Sequence, residues 1–518
     1  MIKTRFALPV LAAVAAIAIA GCGGGGSSSS DPASFAAPGS LVFVEGKLRP
    51  TGTLKSNVDS IAQTIGGVDD LGEFIVSELE SSARDDGEPF DYAREVEPWL
   101  GERAGVAFRT LEDGDLSEPL IAIQTTDAAA TQKFIDAQAA QSDDPYKDAS
   151  YEGVDFKVGG SEDSAVGVVD DFLLVADDQA AFEAAVDASN GESLADEARF
   201  DDAMAAASDG SLADAYVDVG GLIDASGDQI DPQAQEALES AGIDPSDATA
   251  VASVIPGSDQ VEIDVSSDLG GEEAPSGDVS ELLGSLPGDS FAAIGASGLS
   301  EPLGEAIDEL DASGIPGELP PNQLKKTLKA MGIDLDKIAG SLEDAAVFAQ
   351  GSTESSLGGA LVLTSDSGEA GETVANLGVL LRNTGTPGVT VVNSGGASGF
   401  SVRSPELGRK PLVVVTKDDR IAIGYGLAPA LAGLDTSGEE TLSDDANYQA
   451  AVSALGGTPI SAFVDGPVAL RLAESLVPPS ETGFQEAKPY LKKIAYIGIG
   501  TGSSDDLATA KLIVGLEK

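Results

Sequence analysis

Asp170-Asp171-Phe172-Leu173-Leu174-Val175 and, 248 residues later, Asp418-Asp419-Arg420-Ile421-Ala422-Ile423 decide how this chain is read. Each acidic pair lies between two apolar runs, 166–169 and 172–175 in the first block, 412–415 and 421–423 in the second. Short polar links between β-branched runs are turn chemistry, so each block predicts a β-hairpin. At the same offset Glu192-Ser193-Leu194 falls on Glu440-Thr441-Leu442, and Phe200 falls on Tyr448. Ala215-Tyr216-Val217-Asp218 meets Ala462-Phe463-Val464-Asp465 one residue out of step. Upstream, Leu120-Ile121-Ala122-Ile123 is echoed by Ala360-Leu361-Val362-Leu363, and Pro38-Gly39-Ser40 by Pro287-Gly288-Asp289. A period this long predicts two domain-sized copies rather than a solenoid.

Both copies carry the same coarse order. A short strand (41–44; 291–294) precedes helical segments, in which Leu54, Val58, Ile61, Ala62 and Ile65 mark one apolar face and Leu71, Phe74, Ile75 and Leu79 another. Two strands (105–108 and 120–124; 346–349 and 360–364) lead to a helix (128–141; 371–382) and then to the hairpin. Two helices follow, the second spanning 196–207 or 444–455, with Phe200 and Met204, or Tyr448 and Val452, on a shared face. A strand ends at Asp218 or Asp465. In a closing hairpin Ala495, Ile497 and Ile499 share one face, 502–506 turn, and Ala508, Ala510, Leu512, Val514 and Leu516 return. Strict alternation predicts a sheet covered on one side. The expected class is α+β: two similar domains from an internal duplication, each a curved, mainly antiparallel sheet with helices packed on one face. The expected division is 38–267 and 287–518, joined by a linker over 268–286.

The N-terminus predicts location. Lys3 and Arg5 precede an apolar run over 6–20 and then Gly21-Cys22, the layout of a secretory signal over 1–21. The run is too short to span a bilayer. Ile19-Ala20-Gly21-Cys22 resembles the bacterial lipobox, which implies a diacylglyceryl group on Cys22. A Gly/Ser-rich tether over 22–37 would then hold the folded body near an extracytoplasmic membrane surface.

Composition restricts the chemistry. The formal net charge is −58, with 87 acidic residues, which disfavours nucleic acid and anionic headgroups and attracts cations loosely. The chain has no histidine, and Cys22 is its single cysteine. Imidazole bases, Ser-His-Asp and Cys-His arrangements and the usual zinc and copper ligand sets are therefore excluded. Carboxylate, hydroxyl and lysine chemistry remain. The acidic pairs at 143–144, 170–171, 201–202, 418–419 and 444–445 lack the spacing of an EF-hand loop and read as caps and turns. Gly498-Ile499-Gly500-Thr501-Gly502 precedes a strand, so it is not a dinucleotide fingerprint. Trp99 reads as a core anchor beside a turn at Gly101, and Asp218 and Asp465 as strand-end caps.

Pro98-Trp99-Leu100-Gly101 with its following Val-Ala-Phe strand resembles the DUF3352 family of often membrane-anchored bacterial proteins. The Asp-Asp-Phe-Leu-Leu-Val-Ala hairpin and the two helices after it carry the rest of the resemblance. The second copy departs from the pattern at Ile338-Ala339-Gly340. The resemblance implies no activity, cofactor or substrate. No catalytic, cofactor-binding or metal-binding residue is assigned, and Cys22 is the one site residue, for lipidation. The favoured expectation is a non-enzymatic binding or envelope-associated module, whose partners beyond the membrane are an envelope protein or an apolar ligand. Two alternatives stay open: a carrier of an apolar ligand, and a carboxylate-based hydrolase acting on envelope glycans.

Overall fold

The computed structural model describes residues 31–85, 90–112, 114–142, 145–159, 164–227, 248–268, 277–313, 320–365, 370–404, 410–434, 440–478, 480–504 and 507–517. The signal segment, Cys22 and the start of the tether lie outside them, as do Asp143-Asp144 and residues 269–276 of the expected linker. The chain divides into two compact units. Unit 1 comprises Met1–Ala274, Ser503–Ala510 and Lys518; unit 2 comprises Pro275–Gly502 and Lys511–Glu517.

Unit 1 contains β1 (Val42–Lys47), β2 (Leu100–Glu112), β3 (Asp115–Thr125), β4 (Tyr146–Tyr151), β5 (Val154–Gly159), β6 (Ser164–Val169), β7 (Phe172–Ala176), β8 (Ala213–Asp218), β9 (Thr249–Pro256) and β10 (Gln260–Asp268). They pair antiparallel in the order β10-β9-β8-β1-β2-β3-β7-β6-β5-β4. Unit 2 contains β11 (Ser290–Ala296), β12 (Leu342–Gln350), β13 (Gly358–Ser365), β14 (Val389–Ser394), β15 (Ala397–Val402), β16 (Leu412–Lys417), β17 (Arg420–Tyr425), β18 (Ile460–Asp465), most of β19 (Ile494–Ser504) and the second half of β20 (Leu507–Leu516), residues 503–510 falling in unit 1. Their order is β20-β19-β18-β11-β12-β13-β17-β16-β15-β14, with β11 to β19 paired antiparallel. The two orders match strand for strand. The architecture is α+β on antiparallel sheet.

The hairpins fall where the acidic pairs place them. Val169 pairs with Phe172 across Asp170-Asp171, and Lys417 with Arg420 across Asp418-Asp419. Asp170 and Asp418 take φ of 49° and 54°, the left-handed conformation that a two-residue hairpin turn needs and that aspartate tolerates. The hairpins β4–β5 and β14–β15 were not expected. Their strands are short and half-exposed, and the signal lies in their turns, Glu152-Gly153 and Gly395-Gly396, all at positive φ.

Helices cover both faces of each sheet, not one. On one face of unit 1, Phe172 and Leu174 pack with Phe182 of the helix Gln179–Asn190; on the other, Leu173 and Val175 pack with Ile135 of the helix Ala128–Gln141. Unit 2 repeats this, with Ala422 beside Ala430 on one face and Ile421 beside Val374 on the other. Double coverage explains why β7 is buried at every residue instead of alternating.

Three other expectations change. In the closing hairpin the buried phase is Tyr496, Gly498 and Gly500, while Ile499 is exposed. A Cβ at Gly498 would stand 3.0 Å from Ala451, so the glycines admit close approach of the helix Ala446–Ala454, which the sequence places over 444–455. Gly101 lies inside β2, not in a turn; a Cβ there would come within 2.8 Å of Gln124. Val58, Ala62, Ile75 and Leu79 are buried as expected, but Ile65, Phe74 and Val452 are exposed at the edges of their stripes.

The cores trade side chains between paired strands. Phe43 opposes Ala107 in unit 1, whereas Ala293 opposes Phe348 at the matching register of unit 2. An edge-to-face pair, Phe200–Tyr216 at 5.0 Å, is matched by Tyr448–Phe463 at 5.2 Å with the hydroxyl on the other ring. The Tyr216 hydroxyl is buried without a hydrogen-bond partner. Burial, with Asp218 adding to it, pushes this phenol up to about 12. A raised phenol stabilises the fold below its unfolded value of about 10 and loses that contribution as pH climbs to about 12. Tyr216→Phe is therefore expected to be neutral or stabilising by up to about 1 kcal/mol in urea unfolding at pH 7. It should also flatten the loss of stability between pH 10 and 12 by up to about 1.4 kcal/mol per pH unit. A destabilisation at pH 7 would show that the hydroxyl is satisfied.

Candidate functional site

Several of the charged groups that sequence leaves available for chemistry are committed to structure. Three lysines are each bracketed by two aspartates: Lys55 by Asp59 and Asp70 at 2.9 and 3.0 Å, Lys157 by Asp148 and Asp136 at 2.7 and 3.3 Å, and Lys325 by Asp308 and Asp336. Hydrogen bonds to these carboxylates hold all three ammonium groups above their ordinary range. A nucleophilic amine needs the opposite shift. Among the described residues, no three His, Cys, Asp or Glu side chains converge to hold a metal ion.

The acidic pairs serve as caps and turns wherever their side chains engage the backbone. Asp445 accepts from the Tyr448 amide at 2.8 Å, and Asp444 closes a capping box with Thr441. Trp99 is 3% exposed; its Nε1 donates to the Glu95 carbonyl at 2.6 Å, and its ring packs 5.5 Å from Phe134. It is a core anchor, as read from the sequence.

Asp218 and Asp465 end β8 and β18 and are 6% and 8% exposed. Each caps the following helix, Asp218 accepting from the Gly221 amide at 2.8 Å and Asp465 from the Val468 amide at 2.7 Å. The second partner differs. Arg199 donates to Asp218 at 2.8 Å, whereas Asn447 donates to Asp465 at 2.9 Å. A hydroxyl–carboxylate network that the sequence did not reveal lies nearby in unit 1. Ser253 and Ser211 donate to Asp214 at 2.6 Å each, and Ser208 donates to Asp264 at 2.8 Å. Its members are scattered over 208–264, so no local motif announces it.

Unit 2 contains a half-open cleft of about 550 Å³. Ala397, Leu431 and Leu434 form its apolar wall, and Asp289, Gln350, Lys417 and Glu440 its polar rim. The Gln350 Oε1 is buried without a hydrogen-bond partner. So is the Oγ of its cross-strand neighbour Ser290, a residue 4% exposed. In unit 1, between β2, β3 and the helix Gln179–Asn190, about 30 Å³ is open. Nothing in the local sequence marks the cleft, because it is defined by side chains that are small.

The family described as "Protein of unknown function (DUF3352)" matches residues 76–516. This chain belongs to that family. The match takes in both units, from the helix Leu71–Asp85 of unit 1 to the end of β20. No curated protein matches this DUF3352 chain. A solved structure described as crystal form I of TP0453 resembles it over 79% of this chain and 98% of that one, at 9% identity and a TM-score of 0.17. Among the described residues no helix is long and apolar enough to cross a membrane.

The unequal partners of the two buried aspartates give a test. Asparagine caps a helix about as well as aspartate. Asp465→Asn is expected to cost under about 0.5 kcal/mol, since only an amide partner must readjust. Asp218→Asn also breaks a charge-assisted bond to Arg199, and is expected to cost about 1–2 kcal/mol. Urea-unfolding midpoints of the full chain measure both; equal costs would mean that the Arg199 contact contributes nothing.

Proposed function

We propose that this chain is a lipid-anchored, extracytoplasmic binding module without catalytic activity, built from two diverged copies of one α+β unit. The anchor reading is supported by the basic start, the apolar run over 6–20 and Gly21-Cys22, followed by Gly/Ser-rich residues. Two acyl chains on Cys22 would give the stable attachment that a single chain does not. The copy reading is supported by the matched strand orders and by the reciprocal exchanges of Phe43/Ala107 with Ala293/Phe348 and of Phe200/Tyr216 with Tyr448/Phe463. Side chains that change together across a strand pair keep the core volume constant, which is how a duplicated core drifts without collapsing.

The observation that carries the binding reading is the cleft of unit 2. Apolar walls with a few polar groups at the mouth, at about 550 Å³, fall within the range of small-molecule sites. The non-catalytic reading rests on the absence of histidine from the sequence and on lysines shifted away from nucleophilic values. The net charge of −58 suits a body that stays clear of anionic headgroups while its lipid holds it at the surface.

The anchor is tested by expressing Cys22→Ala beside the unaltered chain in bacteria fed a radiolabelled fatty acid. The unaltered chain is expected to carry label and to sediment with membranes. The variant is expected to lose the label and either appear in the soluble fraction or accumulate as unprocessed precursor. A labelled, membrane-bound Cys22→Ala protein would overturn the assignment of the anchor.

A further inference from the structure

We propose that the open side of β14, the outermost strand of unit 2, docks an extended acidic segment of a partner protein as an added strand. This goes beyond the cleft reading and stands whether or not the cleft is occupied. β14 pairs with β15 over six residues in unbroken register, and its other side has no strand partner among the described residues. The Arg403 amide donates to the Gly388 carbonyl at 3.1 Å. Bonded and non-bonded pairs alternate along an antiparallel ladder, so Thr390, Val392 and Ser394 are the residues that bond to β15. The amides and carbonyls of Val389, Val391 and Asn393 then face the open side. Such a row of outward donors and acceptors is a template for another strand.

Unit 1 carries a blunted edge on the same backbone. The two-residue turns Glu152-Gly153 and Gly395-Gly396 align β4–β5 with β14–β15 residue by residue. Lys147 then corresponds to Thr390, Asp148 to Val391 and Lys157 to Phe400. In unit 1 Asp148 and Lys157 pair across the strands at 2.7 Å, and Lys147 adds a third charge. Charged side chains on an edge strand, lysine above all, deter pairing with other chains. In unit 2 the cross-strand ion pair is replaced by Val391 and Phe400, and no residue of Val389-Thr390-Val391-Val392-Asn393-Ser394 is charged. Val391 is 54% exposed, so an apolar side chain stands where the other unit displays a carboxylate. Four of the six residues are β-branched, which suits them to a strand paired on both sides.

The charge around the strand sets the chemistry of the partner. Residues 373–417 hold five basic residues and one acidic, whereas 125–169, at the 248-residue offset, hold three basic and nine acidic. Arg382 lies in the last turn of the helix Ala370–Asn383 that leads to β14, and Arg403 stands opposite Gly388, just before the strand. Both are exposed, and neither pairs with a carboxylate among the described residues. Lys410, at the same end of the sheet, donates to the Leu357 carbonyl at 2.7 Å and lies over the Tyr425 ring. The net charge of −58 does not override these cations, because exposed charges more than about 8 Å apart are largely screened at physiological ionic strength. Antiparallel pairing of β14 with its copy in a second chain would set each basic end against an uncharged Gly395-Gly396 turn, leaving the arginines unmatched. A strand that ends in carboxylates matches them.

The test uses the full folded chain with labelled peptides, read by fluorescence anisotropy and by hydrogen-exchange mass spectrometry. The probe is acetyl-Glu-Glu-Thr-Val-Thr-Val-Thr-Glu-Glu-amide, whose two acidic ends make it indifferent to strand direction. One comparison peptide has lysine for every glutamate, and another has proline for both valines. The probe is expected to bind and to slow exchange in β14. Both comparison peptides are expected to bind at least about tenfold more weakly, one for want of charge match and the other for want of ladder donors. Val391→Pro removes an outward amide and leaves the β14–β15 ladder intact, so it is expected to weaken the probe at least about tenfold. Val391→Asp, which installs the residue of unit 1, should do the same and covers the case in which the proline variant does not fold. Equal binding of the probe and the proline peptide would mean charge attraction without strand addition, and would overturn the proposal. So would equal binding of the lysine peptide, affinity unchanged in both variants, protection outside β14, or no binding at all. Self-association that protects β14 without peptide would make the occupant a second copy and overturn the acidic partner.

Discussion

Register is the constraint on which the rest of this molecule depends. A strand alternates its side chains with a period of two, so a slip by one residue would carry every core residue of a hairpin to the opposite face. In both units the central hairpin is pinned by two aspartates, the first held at positive φ, which leaves no slack in the pairing of β6 with β7 or of β16 with β17. These strands are clad on both faces, so a slip would gain no solvent-exposed alternative and would misplace apolar groups on two sides at once. The pairings outward to β3 and β13, and from there to β2 and β12, inherit that register.

With register fixed, the chemistry of each unit becomes a matter of which side chains occupy a shared set of positions. At two places volume is conserved in pairs. The Phe/Ala exchange between β1–β2 and β11–β12 moves one ring across a strand, and the Phe/Tyr exchange moves one hydroxyl between two touching rings. Neither alters how tightly the layer packs. The positions around the helix after β7 and β17 behave differently, since three phenylalanines face a glycine, an arginine and an alanine. There the helix Leu427–Ala432 lies close on its sheet, with Ala430 2.7 Å from where a Cβ at Gly424 would stand.

Much of the fold was legible because it is written in strong local signals. The acidic turns, the helix over 128–141 and the Asp218 and Asp465 ends were placed from residue type alone, since turns, periodicity and caps act within a few residues. What stayed hidden depends on partners far apart in sequence. Coverage on both faces is decided by where helices dock, and the closing hairpin was read in the wrong phase because its buried side is lined by Gly498 and Gly500. Glycine contributes nothing to a hydropathy pattern, yet here it is what lets a helix approach. The cleft was illegible for a related reason: the residues that line it are scattered from Pro287 to Glu440. The β4–β5 and β14–β15 hairpins were missed because their strands are short and half-exposed, although their Glu-Gly and Gly-Gly turns carried the signal.

Charge ties the surface to the site. A chain with 87 acidic and 29 basic residues cannot pair most of its carboxylates, and the structure uses many of them where a negative group is stabilising, at helix N-termini. Asp127, Asp178, Asp218, Asp445 and Asp465 all accept from backbone amides there. The cations are drawn into clamps of two carboxylates, as at Lys55, Lys157 and Lys325, which fixes them above their ordinary ionisation range and removes them from reactive roles. A pocket set in such a surface selects against anions before any contact is made. The acidity that reads at first as a bulk property of the sequence is, on this account, the outermost layer of specificity.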